Sequence, residues 1–112
     1  MTEPFTVPDL LAGGWKNLDF QPFRDGIEIA HLLQGEPALA VLRYQPGAKV
    51  PRHAHVGAET VLVLEGSQTD ERGTYGAGTL VVNTDGSDHD VISHDGCVVL
   101  VQWSKPIRFV ED

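Results

Sequence analysis

Short runs of alternating apolar and polar residues, separated by glycine and proline, fill this chain from residue 27 onward. Ile27 to Leu33 (IEIAHLL) alternates in its first half, which predicts a strand because successive strand side chains point to opposite faces. Ala38 to Tyr44 (ALAVLRY) predicts a second strand, ended by the turn residues Pro46 and Gly47. Arg43 and Tyr44 have opposite parity, so one of them faces inward. An inward Arg would suit a carboxylate substrate; an inward Tyr would donate to a bound oxygen. Val50 to His55 predicts a third strand, with Pro51 suited to a strand start or an edge. Thr60 to Leu64 (TVLVL) is apolar on both faces, as expected between a lumen and a second layer, and Glu65-Gly66 ends it. Gln68 to Gly73 (QTDERG) reads as a solvated hairpin end and Tyr75 to Gly78 as a tight turn. Thr79 to Asn83 is a further strand, and Thr84 to Asp88 a Gly/Asp turn. Cys97 to Trp103 (CVVLVQW) is the last long strand, with Gln102 and Trp103 on opposite faces. Beyond Lys105-Pro106, Ile107 to Val110 predicts a short edge strand, within the subunit or on a partner.

Many short strands and no sustained helical period predict an all-β barrel or sandwich. Residues 1–26 read as an N-terminal arm and residues 27–112 as the barrel domain. Within the arm Asp9 is a fair cap for one helical turn at Leu10. The arm is expected to lie along the barrel or across a partner subunit, docked by the rings of Trp15 and Phe20.

With 112 residues and 41% hydrophobic content, the chain suits one packed domain. Its net charge of −8, with no basic cluster, argues against nucleic acid and anionic membranes as partners. No apolar run approaches the roughly 20 residues of a membrane span. Met1 to Phe5 lack a basic stretch followed by an apolar one, so the expected compartment is the cytoplasm. The one cysteine, Cys97, excludes an internal disulfide and reads as a small buried hydrophobe.

Candidate chemistry centres on Gly47 to Gly66, GAKVPRHAHVGAETVLVLEG. His53 and His55 are two apart, so on a strand they share a face, where two neutral imidazoles can bind one metal ion. The break at Val56-Gly57-Ala58 lets the chain turn, and Glu59 can return to the same ion from the next strand. His31, on an earlier strand, reads as a non-ligand, and His94 as a turn residue. Asp88 and Asp90 are candidates to fix an imidazole tautomer, although loop carboxylates are mostly solvated.

The positions Gly47, His53, His55, Glu59 and Gly66 resemble the first motif of the cupin superfamily at every spacing. The second motif is similar to Tyr75-Gly-Ala-Gly78 followed by Gly86-Ser-Asp-His89, with Thr84 where the family usually has Pro and Ser93 where it often has Asn. The resemblance implies a double-stranded β-helix of jelly-roll type and adds His89, so that His53, His55, Glu59 and His89 are the metal ligands. A narrower resemblance, over about two thirds of the chain, rests on Glu59 to Gly66, Thr69 to Tyr75, Gly86-Ser87, His89 and Gly96-Cys97. These residues look like the cupin domain of ChrR-type anti-sigma factors, a subgroup similar to small dioxygenases that cleave diketones and aryl ketones.

Three imidazoles and a carboxylate suit one divalent transition metal: Fe, Zn, Mn, Ni or Cu. An octahedral ion keeps two open positions, whereas tetrahedral zinc is closed by four protein ligands. Three roles stay open on this reading. One is an oxygenase-type enzyme acting on a small ketone or diketone, with Val61, Val63, Leu80 and Val82 available as cavity wall. Another is a ChrR-like sensor or ligand-binding module; only about 45 residues precede the motif and they hold no His-Cys cluster, so sigma-factor capture as in ChrR is not expected. In the third the metal only staples the barrel. The family resemblance further implies a homodimer.

Overall fold

The computed structural model describes residues 3–110. Met1, Thr2, Glu111 and Asp112, the outer ends of the expected arm and barrel, lie outside the described residues. Ten strands are present among the described residues: β1 (Gln21–Arg24), β2 (Ile27–Leu33), β3 (Ala38–Tyr44), β4 (Ala48–Ala54), β5 (Glu59–Asp70), β6 (Gly73–Gly76), β7 (Leu80–Asn83), β8 (Asp88–Ser93), β9 (Cys97–Trp103) and β10 (Arg108–Phe109). All pairings are antiparallel, in the order β1-β2-β3-β9-β5-β8-β4-β10, with β6 and β7 also on β5. The sheet curls around a lumen as one small all-β domain, the double-stranded β-helix that the family resemblance implies.

Alternation along the strands sorts the side chains into two layers. Ile27, Ile29, Leu42, Tyr44, Val50, Val61, Val63, Val91, Val99 and Val101 point inward and form the main core. On the outer face, Ala30, Val41 and Val98 are covered by the N-terminal segment through Trp15, with Leu10, Leu18 and Phe20 around it. The arm therefore packs along its own barrel, and Trp15 is its buried anchor. Leu10–Ala12 makes a short 3₁₀ turn. Asp9 precedes it, but its side chain makes no cap; its backbone carbonyl instead accepts from Ala12 and Gly14 N–H.

The strands β2, β3 and β9 have the bounds expected from their alternation. The second half of β5 does not. Glu65-Gly66 does not end that strand; it bends there and runs on to Asp70, with a register shift against β9 between Val63 and Glu65. Gly66 sits at φ 75°, and a Cβ there would stand 2.0 Å from the Gly96 carbonyl oxygen. Only glycine fits that approach, and the bend lets one strand pair with β7 and β9 before it and with β6 and β8 after it. Consequently Gln68 to Asp70 are not solvated hairpin residues: Gln68 is buried, the Asp70 side chain is 3% exposed, and the turn itself is Glu71-Arg72. Tyr75 likewise lies within β6, and the turn follows at Ala77-Gly78. The C-terminal β10 pairs within the subunit, Arg108 opposite Ala54 and Phe109 opposite His53. No helix among the described residues is long and apolar enough to cross a membrane.

Candidate metal centre

His53 lies on β4, whose partner β8 carries His89 directly opposite it. His55 follows the end of β4, and its N–H and carbonyl bond Ser87 and Gly86 of the turn before β8. Glu59 opens β5, opposite Asn83 on one side and Trp103 on the other. All four side chains are buried, and one ligand atom from each lies within 4.8 Å of the other three. The sequence-predicted residues are thus brought together as one group able to hold a metal ion.

The hydrogen bonds around the rings decide which nitrogen faces the centre. His53 Nδ1 is 2.9 Å from the Pro51 carbonyl, which can only accept, so Nδ1 carries the proton. His55 Nδ1 donates to the Ser87 carbonyl at 3.0 Å and to Ser87 Oγ at 2.9 Å, whose own hydroxyl donates to the Thr84 carbonyl. His89 Nδ1 donates to Asp70 Oδ2 at 2.9 Å. Every neutral ring is thereby held as its Nδ1–H tautomer with a bare Nε2 lone pair turned inward. Two of those atoms, His53 Nε2 and His89 Nε2, are 3.1 Å apart. His55 Nε2 is buried with no hydrogen-bond partner and stands 3.5 Å from Glu59 Oε1. Facing acceptors at these distances repel unless a cation lies between them. The donor set, mixed N and O, and the orphaned His55 Nε2 fit a divalent transition metal.

Electrostatics agree with that arrangement. Burial holds His53 below the ordinary imidazole range; its bond to Pro51 opposes this only partly, and nearby His89 adds to the lowering. Burial alone would raise Asp70, but bonds from His89, the Arg72 N–H and the Tyr75 hydroxyl outweigh it and keep the carboxylate ionised. Glu59 Oε1 accepts from Asn83 Nδ2 at 3.1 Å.

Asp70 was missed by sequence reasoning, which weighed only Asp88 and Asp90 as partners for His89 and favoured solvated charge for both. Both of those are exposed and share Arg52 at the surface, at 3.5 and 3.3 Å. His31 and His94 are exposed and stand apart from the group.

The centre opens on a cavity of about 370 Å³ bounded by Leu42, Val50, Val61, Val91, Val99 and Val101. Tyr44, Gln68 and Trp103 also line it, with Phe23, Arg24, Ile107 and Phe109 contributed by the segments at the two ends of the sheet. Parity resolves in favour of Tyr44 inward. Arg43 faces out, where it pairs with Glu28 at 2.8 Å and stacks on Phe20. Of the residues expected as wall, Val61 and Val63 point into the core, whereas Leu80 and Val82 are 60% and 58% exposed on the outer face. Burial, then the neighbouring Cys97 and Glu59, raise the Tyr44 hydroxyl far above its usual range, so it stays a neutral donor. Burial likewise pushes the Cys97 thiol up to about 11, consistent with an inert core residue.

The solved structures similar to this chain include a putative acetylacetone dioxygenase from Methylibium petroleiphilum, with TM-score 0.84 and 17% identity over 99% of this chain and 83% of that one. The acetylacetone dioxygenase of Acinetobacter johnsonii gives 0.81 and 17%, over 100% and 80%. At these identities the likeness shows the fold. The Rhodobacter sphaeroides anti-sigma ChrR, solved in complex with SigE, gives 0.76 and 26% over 89% of this chain and 57% of that one. Among curated proteins, the anti-sigma-E factor ChrR of Cereibacter sphaeroides is 30% identical over 109 residues, 95% of this chain. The chain spans about half (51%) of the length of that relative. The model of the ChrR cupin-like domain matches residues 12–105, so the chain belongs to the ChrR cupin-like domain family.

Proposed function

We propose that this protein binds one divalent transition metal through His53, His55, Glu59 and His89 and acts as a dioxygenase-type enzyme on a small ketone or diketone. The observation that carries the reading is the set of inward Nε2 lone pairs opening on an apolar cavity rather than on solvent. A bound ion would supply Lewis acidity and, if redox-active, a site for oxygen chemistry. The chain's own residues would do the rest. Leu42, Val50, Val61, Val99 and Val101 exclude water and make room for a small carbon skeleton. Tyr44, held neutral, and Gln68 offer donors that orient an oxygen of the ligand. Oxygen consumption by iron-reconstituted protein across a panel of ketones tests the reading. Uptake with an enolisable ketone supports it, and no uptake with any metal rejects it.

A second reading is a ChrR-like ligand-binding or sensory module holding zinc. It is favoured by the ChrR relative, which was solved in complex with a sigma factor. A site closed by four protein ligands with no ligand-binding position would support that reading over the enzyme.

Pairing into a homodimer belongs to the same proposal. Leu80 and Val82 stand exposed on β7, which pairs only with β5 among the described strands. Exposed neighbouring apolar side chains on a free strand edge suit burial against a second copy.

A further inference from the structure

The mouth of the cavity brings together residues from opposite ends of the sheet. Arg24 comes from β1, and its guanidinium lies over the ring of Phe109, on β10, 4.9 Å from the centroid. That ring in turn meets His53 edge-on at 6.2 Å. Both Arg24 and Phe109 line the cavity that holds the candidate metal centre. Among the described residues its lining is otherwise apolar except for Tyr44, Gln68 and the metal-binding side chains, and Arg24 is the one Arg or Lys in it.

Arg24 is also placed to meet an anion. Among the described residues it has no carboxylate partner, whereas Arg43, Arg52 and Arg72 each have one. Its other side borders a shallow cleft with Asp25, Asp70 and Asp90, yet it pairs with none of them. It is half-buried, and it lines the same cavity as the buried Tyr44. A guanidinium fixed over an aromatic ring keeps its N–H edge available, and that edge matches the two oxygens of a carboxylate.

Resting on the proposed metal centre, we infer that Arg24 is a specificity-determining residue that selects ligands carrying a carboxylate, so that the natural substrate class is small keto acids rather than neutral diketones. The keto oxygens face the metal-binding side chains, the carbon skeleton lies against Val61, Val99 and Val101, and the carboxylate meets Arg24 at the mouth. The net charge of −8 would otherwise disfavour an anionic ligand, so an arginine lining the entrance weighs strongly in ligand choice.

The test is calorimetric binding of two probes with the same enolisable core, acetylpyruvate and acetylacetone, to nickel-loaded protein of verified metal content. The wild type should bind acetylpyruvate roughly ten- to a hundredfold more tightly, the usual range for a charge-assisted hydrogen bond. Arg24→Leu should erase that preference by weakening acetylpyruvate far more than acetylacetone, and Arg24→Lys should restore part of it. A merely structural role for Arg24, as a brace for Phe109, would instead weaken both probes equally and overturn the inference. Equal affinities in the wild type, or an unchanged preference in Arg24→Leu, would do the same while leaving the metal centre standing. Failure of the loaded protein to bind either probe rejects both the inference and the enzymatic reading beneath it.

Discussion

Asp70 Oδ2 accepts the Nδ1 proton of His89 at 2.9 Å, and both side chains are 3% exposed. The Asp70 carboxylate is itself held by the Tyr75 hydroxyl and the Arg72 N–H, at 2.9 and 2.8 Å. This pair fixes the direction in which the His89 Nε2 lone pair points. Asp70→Ala is expected to weaken metal binding about ten- to a hundredfold, the usual effect of losing such a support. Asp70→Asn should lose less, because its amide oxygen still accepts. Titration against a chelator measures both, and wild-type affinity in Asp70→Ala would contradict the assignment.

Metal binding requires neutral imidazoles, so it must weaken in acid. Burial has lowered the pKa of His53 from 6.5, and the sign of its effect on the metal-free protein follows. Below 6.5 the unfolded chain takes up a proton that folded His53 still refuses. Stability should therefore fall as pH drops through that value and level off once the lowered pKa is passed. The ionised Asp70 adds stability above its unfolded value of 3.8, lost only as pH falls through its lower folded pKa. Melting curves of the metal-free protein from about pH 7 to about pH 5 test the first window, and a rise in melting temperature on acidification would contradict it.

Gly66 holds the bend that carries β5 from one half of the barrel to the other. Gly66→Ala places a methyl group against the Gly96 carbonyl at positive φ. A cost of about 1–3 kcal/mol or more is expected, from backbone strain plus the clash. Chemical denaturation measures it, and a loss below about 0.5 kcal/mol would show that the bend has another cause.

If Leu80 and Val82 cover one another across two copies, Leu80→Lys with Val82→Lys should convert a dimer to a monomer. Metal content should stay unchanged, because both residues face away from the lumen. Light scattering coupled to size exclusion decides this, and identical masses for the two proteins would reject that surface as the interface.

Several features were legible because they are local. His53 and His55 share a face by strand parity, and β2, β3 and β9 announce themselves by alternation bounded by turn residues. His89 needed the family resemblance, since only the pairing of β4 with β8 puts it opposite His53. Asp70 was hidden in the charged stretch QTDERG, where polarity suggested solvent. The bend at Gly66 and the pairing of Thr69 with Ile92 carry it inward, and neither leaves a pattern in a single sequence. Arg24 was concealed for the opposite reason. It lies in a segment without clear periodicity, and it reaches the cavity only because the two ends of the curled sheet meet. Leu80 and Val82 have the composition of a cavity wall, but parity without register does not tell inside from outside.

The central claim is that three Nε2 atoms and one carboxylate converge to hold an ion. Elemental analysis of the metal-reconstituted protein beside His53→Ala, His55→Ala, Glu59→Ala and His89→Ala addresses it most directly. About one transition-metal ion per chain is expected in the wild type, with marked loss in each histidine variant and a melting temperature that falls as the metal is removed. A wild type that takes up no ion after reconstitution, or histidine variants that keep a full complement, would contradict the account.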